Sequence, residues 1–226
     1  MKGRDLFMKI KYLTLVLLIA LLPVLLILGC DSAPEGTETD SPQEAESAQV
    51  PEDDEEVTVE GPLMGAVSAP LQVDGTVEGY PVSPLETLGA VIHLAHDGQY
   101  LYLHLETEGE GWVAVGFNRP GGGMNGANMI IGYLNQGMPA LREDIGRGRN
   151  HSEASVSAVR EHYLIYENGR VILEFSYPLD FPEGEDYSLS GLAQGETYEL
   201  IYATHSSSGE ISRQHTGRSS IRFSVE

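Results

Sequence analysis

The chain has 226 residues, a formal net charge of −21, a single Cys and 26 Gly. This acidic balance argues against a nucleic-acid-binding protein, because neutralising phosphates requires a basic surface. A single Cys excludes a disulfide framework, a Cys-based zinc site and the C-x-x-C-H attachment of a c-type haem.

The first 30 residues are typical of an export signal. A basic start precedes an apolar run over residues 12–28, and residues 27–30 (ILGC) resemble a bacterial lipobox. In lipoproteins with this motif the signal is removed before the Cys, and the Cys is lipidated. We therefore expect residues 1–29 to be a lipoprotein signal peptide and Cys30 to carry the lipid.

The alternative is an uncleaved transmembrane anchor, although an apolar run of about 17 residues containing a Pro is at the short limit for spanning a bilayer. Both interpretations place the remaining chain outside the cytoplasm, attached to the membrane of a bacterial cell envelope. Asp31 directly after Cys30 fits the pattern that retains some lipoproteins at the inner membrane.

Residues 30–60 predict a disordered acidic linker. After Cys30 this segment holds 12 Asp and Glu, no Lys or Arg, and no aromatic residue. Such a composition cannot bury enough apolar surface to offset the entropy of ordering, and its like charges extend the chain. A role of residues 52–56 (EDDEE) in binding Ca²⁺ or a partner is the weaker alternative.

Residues 61–226 predict one all-β domain, an antiparallel β-sandwich or barrel. Short apolar runs alternate with turn residues, and no segment keeps a helical period. Asp97-Gly98 and Asn168-Gly169 each lie between two strand-like runs, as in tight hairpins. The expected strands cover residues 91–96, 99–105, 111–117, 127–134, 162–166, 170–175, 198–203 and 220–225.

Few residues suggest chemistry by type and spacing alone. His93 and His96 are three apart, so an extended strand puts them on opposite faces, which disfavours a metal pair. His104 is expected to be a cross-strand polar residue. Met124 lies in the Gly-rich segment 118–132, where a thioether is either a loop residue covering the sandwich end or a soft ligand for haem iron. No nucleophile and base occur at useful spacing, so an enzyme is the least favoured class.

Residues 111–117 (GWVAVGF) and 124–132 (MNGANMIIG) resemble the central signature of DOMON domains, which are extracytoplasmic β-sandwiches of immunoglobulin-like architecture. Residues 215–223 (HTGRSSIRF) are similar to the ending of that family. The resemblance spans about residues 71–226. Two positions depart from the pattern: Asn128 stands where an Asp is usual, and residues 177–179 (YPL) stand where an Arg is frequent.

In haem-binding members a b-type haem lies between a Met of the central loop and a His near the C-terminus. The resemblance thus implies Met124 and His215 as ligands of haem iron, with His205 as the rival of His215. A related group uses Met with Lys, but all three Lys of this chain lie in its first 11 residues. Phe117 and Met129 are expected either to line the macrocycle or to pack in the core.

The leading expectation is a lipid-anchored cytochrome that binds haem b and passes electrons to a redox partner protein. Met and His together saturate the iron and leave no site for oxygen chemistry. The alternative is a haem-free module that binds a sugar or another small ligand by stacking on Tyr100, Tyr102 or Trp112. A third class is an adhesion or structural lipoprotein with the acidic linker as a spacer.

Overall fold

The computed structural model describes residues 60–226, which contain twelve β-strands and no helix long and apolar enough to cross a membrane. Cys30, Asp31, the expected signal peptide and the acidic linker lie outside the described residues. The strands are β1 Glu60–Ala66, β2 Leu85–Thr87, β3 Ala90–His96, β4 Tyr100–Glu108, β5 Val113–Asn118, β6 Asn128–Asn135, β7 Met138–Arg147, β8 Asn150–Glu153, β9 Glu161–Glu167, β10 Arg170–Pro178, β11 Thr197–Thr204 and β12 Gly217–Val225.

The strands form two sheets joined by β1. The first sheet has the order β8-β7-β6-β5-β11-β12, and the second has the order β3-β4-β10-β9, with β2 on β3. Strand β1 pairs with β12 through Glu60–Met64 and then with β3 through Gly65 and Ala66. Both pairings of β1 are parallel, so the sandwich is antiparallel except at this strand.

The core lies between the two sheets and is built by alternation along each strand. Inward-facing residues of β4, β5 and β11 are apolar and fully buried, whereas their neighbours in sequence face outward. The eight expected strands all occur. Asn168 and Gly169 both adopt positive φ, 54° and 72°, which is the geometry of the tight hairpin between β9 and β10.

Four strands, β1, β2, β7 and β8, were not expected from the sequence. Strand β7 contains Pro139, Arg142, Glu143 and Asp144, a composition that disfavours a buried strand. The two acids are nevertheless almost completely buried, at 2% and 0% exposure. Each is satisfied by hydrogen bonds from neighbouring side chains, and it is these contacts that make the strand stable.

A polar cluster lies on the outer face of the second sheet, under the segment 67–84. His93, His104 and Glu174 lie side by side on β3, β4 and β10. Glu174 accepts hydrogen bonds from Tyr80 Oη (3.2 Å) and from the backbone N of Gly75 (2.6 Å). The covering segment is therefore tied to the sheet by one buried carboxylate.

The two histidines in this cluster lie beside each other, with ring centroids 6.0 Å apart; His104 is buried and His93 is partly buried. Their Nδ1 atoms have no hydrogen-bond partner in the described part of the chain. Burial, together with His93 and Arg170, lowers the pKa of His104 to about 4. Burial likewise raises the pKa of Glu174. His104 is neutral in the folded protein above that pH.

We predict that His104 makes folding weaken as the solution is acidified. The unfolded chain binds a proton near the ordinary histidine pKa of about 6.5, whereas the folded chain does not until about pH 4. Between these values the free energy of unfolding falls by up to about 1.4 kcal/mol per pH unit from this group. Urea unfolding of the parent and of His104→Gln, from pH 7 to pH 4.5, measures the difference in slope.

His162→Gln is the matched control, because His162 is exposed on β9. The control should keep the slope of the parent. Parallel pH profiles for the parent and His104→Gln would show that the buried histidine is not the group responsible.

Candidate functional site

The loop between β5 and β6, residues 119–127, is held at one end of the first sheet by Asn118. This side chain is completely buried. Its Nδ2 donates to the carbonyl oxygens of Gly123 (2.7 Å) and Asn125 (3.0 Å), and its Oδ1 accepts from the backbone N of Arg119 (2.8 Å). Ser188 Oγ also donates to Asn118 Oδ1. The Asn118 amide therefore holds the 119–127 loop and also binds Ser188, which lies on a different loop.

The segment 179–196 lies against this loop and closes the same end of the sandwich. Ser188 N donates to the carbonyl of Gly126 at 2.6 Å. Beneath it, Glu143 Oε1 accepts from Tyr187 Oη (2.8 Å) and from Tyr177 Oη. Asn128, which replaces the usual Asp of the signature, donates from Nδ2 to Tyr177 Oη at 2.9 Å. An amide is suited to this position because it can donate, whereas an ionised Asp would only accept.

A cleft of about 340 Å³ opens at this end of the sheet. It is lined by Asn125, Gly126, Gly146, Arg147, Asp186 and Ser188. Arg147 Nη1 lies 2.6 Å from Asp186 Oδ2, and both side chains are substantially exposed. The cleft therefore presents a cation, a carboxylate and an amide to solvent, whereas the Ser188 hydroxyl at its edge is directed at Asn118. Of these residues only Asn125 and Gly126 lie in the signature; the others come from β7 and from segment 179–196 and carry no sequence signal.

Met124 is half-buried in the same loop and lies over Gly146 of β7. A Cβ on Gly146 would be only 1.6 Å from the carbonyl oxygen of Met124 and 3.2 Å from the Cγ of Met124. Gly146 N also donates to the carbonyl of Ala127 at 2.9 Å. The absence of a side chain at residue 146 thus lets the Met124 loop rest directly on the sheet.

His205 and His215 lie at the opposite end of the first sheet. Strand β11 pairs antiparallel with β5, so Thr204 is opposite Val113 while Glu199 is opposite Asn118. His205 follows Thr204 and donates its backbone N to the Trp112 carbonyl (3.0 Å). The backbone N of Thr216, next to His215, donates to the carbonyl of Thr204 (2.8 Å).

The structure therefore does not bring Met124 together with His215, or with His205. Five residue steps of β5 separate the two ends, roughly 17 Å at the usual rise per residue. Both axial ligands must reach the same iron atom, so these pairs do not fit a haem in this fold. The cleft beside Met124 is also lined by polar groups rather than by the apolar walls that a porphyrin requires.

The remaining sequence candidates occupy structural positions. Trp112 and Tyr102 are 7% and 2% exposed, so neither can stack on a ligand. Tyr100 is covered by the Arg160 guanidinium, 4.6 Å from its ring centroid. His205 Nδ1 accepts from the backbone N of Ser208 (2.9 Å). Burial, with Arg218 nearby, lowers the pKa of His215.

His93 and His96 face opposite sides of β3, as expected, and Phe117 is a core residue. Across residues 60–226, no group of three or more His, Cys, Asp or Glu side chains is arranged to hold a metal ion.

A family model for the DOMON domain matches residues 88–205. Among curated proteins no match is found. Similar solved structures include the cytochrome b domain of pyranose dehydrogenase from Coprinopsis cinerea (11% identity, 59% of this chain and 75% of that one, TM-score 0.43). They also include the cytochrome domain of Myriococcum thermophilum cellobiose dehydrogenase (12%, 61% and 75%, TM-score 0.45).

A family 9 carbohydrate binding module from Caldicellulosiruptor kristjanssonii, in complex with cellotriose, is similar over 74% of this chain and 95% of that one, with 10% identity and a TM-score of 0.44. Likeness of this degree says nothing about which ligand this chain binds.

We predict that Asn118→Ala destabilises the domain by about 2–3 kcal/mol. The substitution removes the hydrogen bonds that join two loops and leaves buried partners unsatisfied. The free energy of unfolding in urea measures the loss, with Asn135→Ala as the control because Asn135 is exposed at the end of β6. Equal stability of the two variants would contradict the role assigned to Asn118.

Proposed function

The chain belongs to the DOMON domain family, and we propose on that premise that it is a binding module for a small polar ligand such as a mono- or disaccharide. The proposal rests on the polar cleft beside the 119–127 loop. Its volume is at the lower end of the range for ligand pockets and suits one or two sugar rings.

The side chains at the cleft have the chemistry that polyhydroxy ligands need. Arg147 donates at fixed geometry because its Nη1 bonds to Asp186 and its Nε to Ser152 Oγ (2.9 Å). The carboxylate of Asp186 is 77% exposed and can accept from a ligand hydroxyl. Asn125 is oriented by the backbone N of Gly148, which donates to its Oδ1 at 2.8 Å. Polar groups held in fixed positions in this way can select a neutral ligand by its hydrogen-bonding groups.

Haem-dependent electron transfer to a redox partner is the alternative that family membership brings. It has less support from the site, because the expected ligand pair is divided between the two ends of the sheet. The proposed function therefore uses no haem and requires no redox partner.

The sugar-binding proposal predicts a loss of affinity in Arg147→Ala. Removing a charged donor from the cleft costs about 1.5–3 kcal/mol, which corresponds to roughly 10–100-fold weaker binding. Isothermal titration of the full chain with a panel of neutral mono- and disaccharides measures the effect. Arg149→Ala is the matched control, since Arg149 is exposed in the adjacent turn and does not line the cleft.

Two results would overturn this proposal. One is the absence of binding by the parent protein to every sugar of the panel at millimolar concentration. The other is a sharp low-spin haem spectrum in the purified protein, which would restore the cytochrome alternative.

We further propose that the module is held at the outer side of a bacterial membrane by a lipid on Cys30, with the acidic linker as a spacer. The lipobox-like tetrad and the absence of other cysteines support this attachment. Cys30→Ser should abolish incorporation of labelled fatty acid into the protein expressed in bacteria, whereas the parent should take up the label. A parent protein that is in the membrane fraction but takes up no label would instead indicate an uncleaved anchor.

A further inference from the structure

Met124 has a histidine neighbour that its position in the sequence does not suggest. His151 lies on β8 directly opposite Gly146 of β7. Residues directly opposite each other in an antiparallel pair project to the same face of the sheet, about 5 Å apart. Met124 Cγ lies 3.2 Å from the place where a Gly146 side chain would begin. Met124 and His151 are therefore both placed next to Gly146, on the same outer face of the sheet.

His151 is oriented by a buried carboxylate. Its Nδ1 contacts Oδ2 of Asp144, which is completely buried, whereas the imidazole itself is 29% exposed. With Nδ1 directed at this carboxylate, Nε2 is the ring nitrogen that remains for another partner.

This arrangement is the carboxylate–histidine pair seen behind many metal ligands, with a thioether beside it. A thioether favours Cu(I), whereas Zn²⁺ and Mg²⁺ prefer other donors. Both side chains are half-buried, so an ion reaches them from solvent. The acidic chain attracts cations to its surface.

We propose that Met124 Sδ and His151 Nε2 bind one Cu(I) ion on the outer face of the first sheet, with Asp144 as the positioning residue for the imidazole. Arg142 balances the charge of Asp144 through a bidentate contact, Nε–Oδ1 2.6 Å and Nη2–Oδ2 2.5 Å. The site does not depend on the polar-ligand function proposed for the neighbouring cleft, because it uses neither Arg147 nor Asp186.

The test is a Cu(I) competition titration against bicinchoninate under reducing, oxygen-free conditions. The full chain carries Cys30→Ser in every sample, so that its thiol does not bind the metal. We expect one tight Cu(I) per chain, and at least tenfold weaker binding in Met124→Leu and in His151→Asn. X-ray absorption of the complex should show both sulfur and imidazole nitrogen scatterers at the copper.

Matched controls are available on the same sheets. Met138→Leu replaces an exposed methionine of β7, and His162→Asn an exposed histidine of β9; both should bind as the parent does. Met124→Leu conserves volume and apolar character, so it decides the question even if His151→Asn fails to fold. Arg147→Ala should keep Cu(I) affinity, which separates this site from the sugar cleft.

The proposal is overturned if Met124→Leu binds Cu(I) as tightly as the parent. Equal losses in Met138→Leu would also overturn it, since they would show dispersed surface binding. Zinc bound more tightly than Cu(I), in a manner dependent on His151 but not on Met124, would refute the thioether's role.

Discussion

The antiparallel register between β5 and β11 is the constraint on which the site depends. It sets Asn118 opposite Glu199 and Val113 opposite Thr204, so the loop after β5 and the loop after β11 must emerge from opposite ends of the sheet. A shift of one residue would move the inward apolar residues of either strand out of the core to the outer face of the sheet, so the hydrophobic core locks this register. Residues carried by the two loops are thereby kept apart, whatever their chemistry.

The covering segments are attached to the sandwich by a few buried polar side chains. Asn118 holds the 119–127 loop, Glu143 ties Tyr177, Tyr187 and the backbone of Ala158 together, and Glu174 fastens segment 67–84. All three side chains are buried. Leaving one of them without its hydrogen-bond partners would lower the stability of the fold by more than its hydrogen bonds contribute. This asymmetry makes the positions of the segments specific: a displaced segment leaves a buried carboxylate or amide without its partners.

Strands with regular alternation, and the hairpin at Asn168-Gly169, were predictable because local pattern and tertiary burial agree there. Strand β7 was not predictable, because Glu143 and Asp144 occupy buried positions where a local pattern would require apolar residues. Both acids can be buried only because side chains from other parts of the fold satisfy them by hydrogen bonds. The ligand pair Met124 and His215 was inferred from the resemblance of two sequence segments to a family pattern. Such a resemblance gives the residue types, but it does not give the register between the strands that place them. His151 had no motif at all; only the β7–β8 pairing places it beside the signature loop.

The position of Met124 is set by its own loop. Its loop is placed by local features: Asn118 at the end of β5, and Gly146 beneath the Met124 carbonyl, where any side chain would collide. These features fix where the thioether stands but not what stands opposite it. In this chain the short edge strand β8 places the imidazole of His151 on the same face of the sheet, where Asp144 holds it. Two half-buried donors of this kind suit a small soft ion. A macrocycle would instead need apolar walls on both faces, and the neighbouring cleft is lined by polar side chains and glycines.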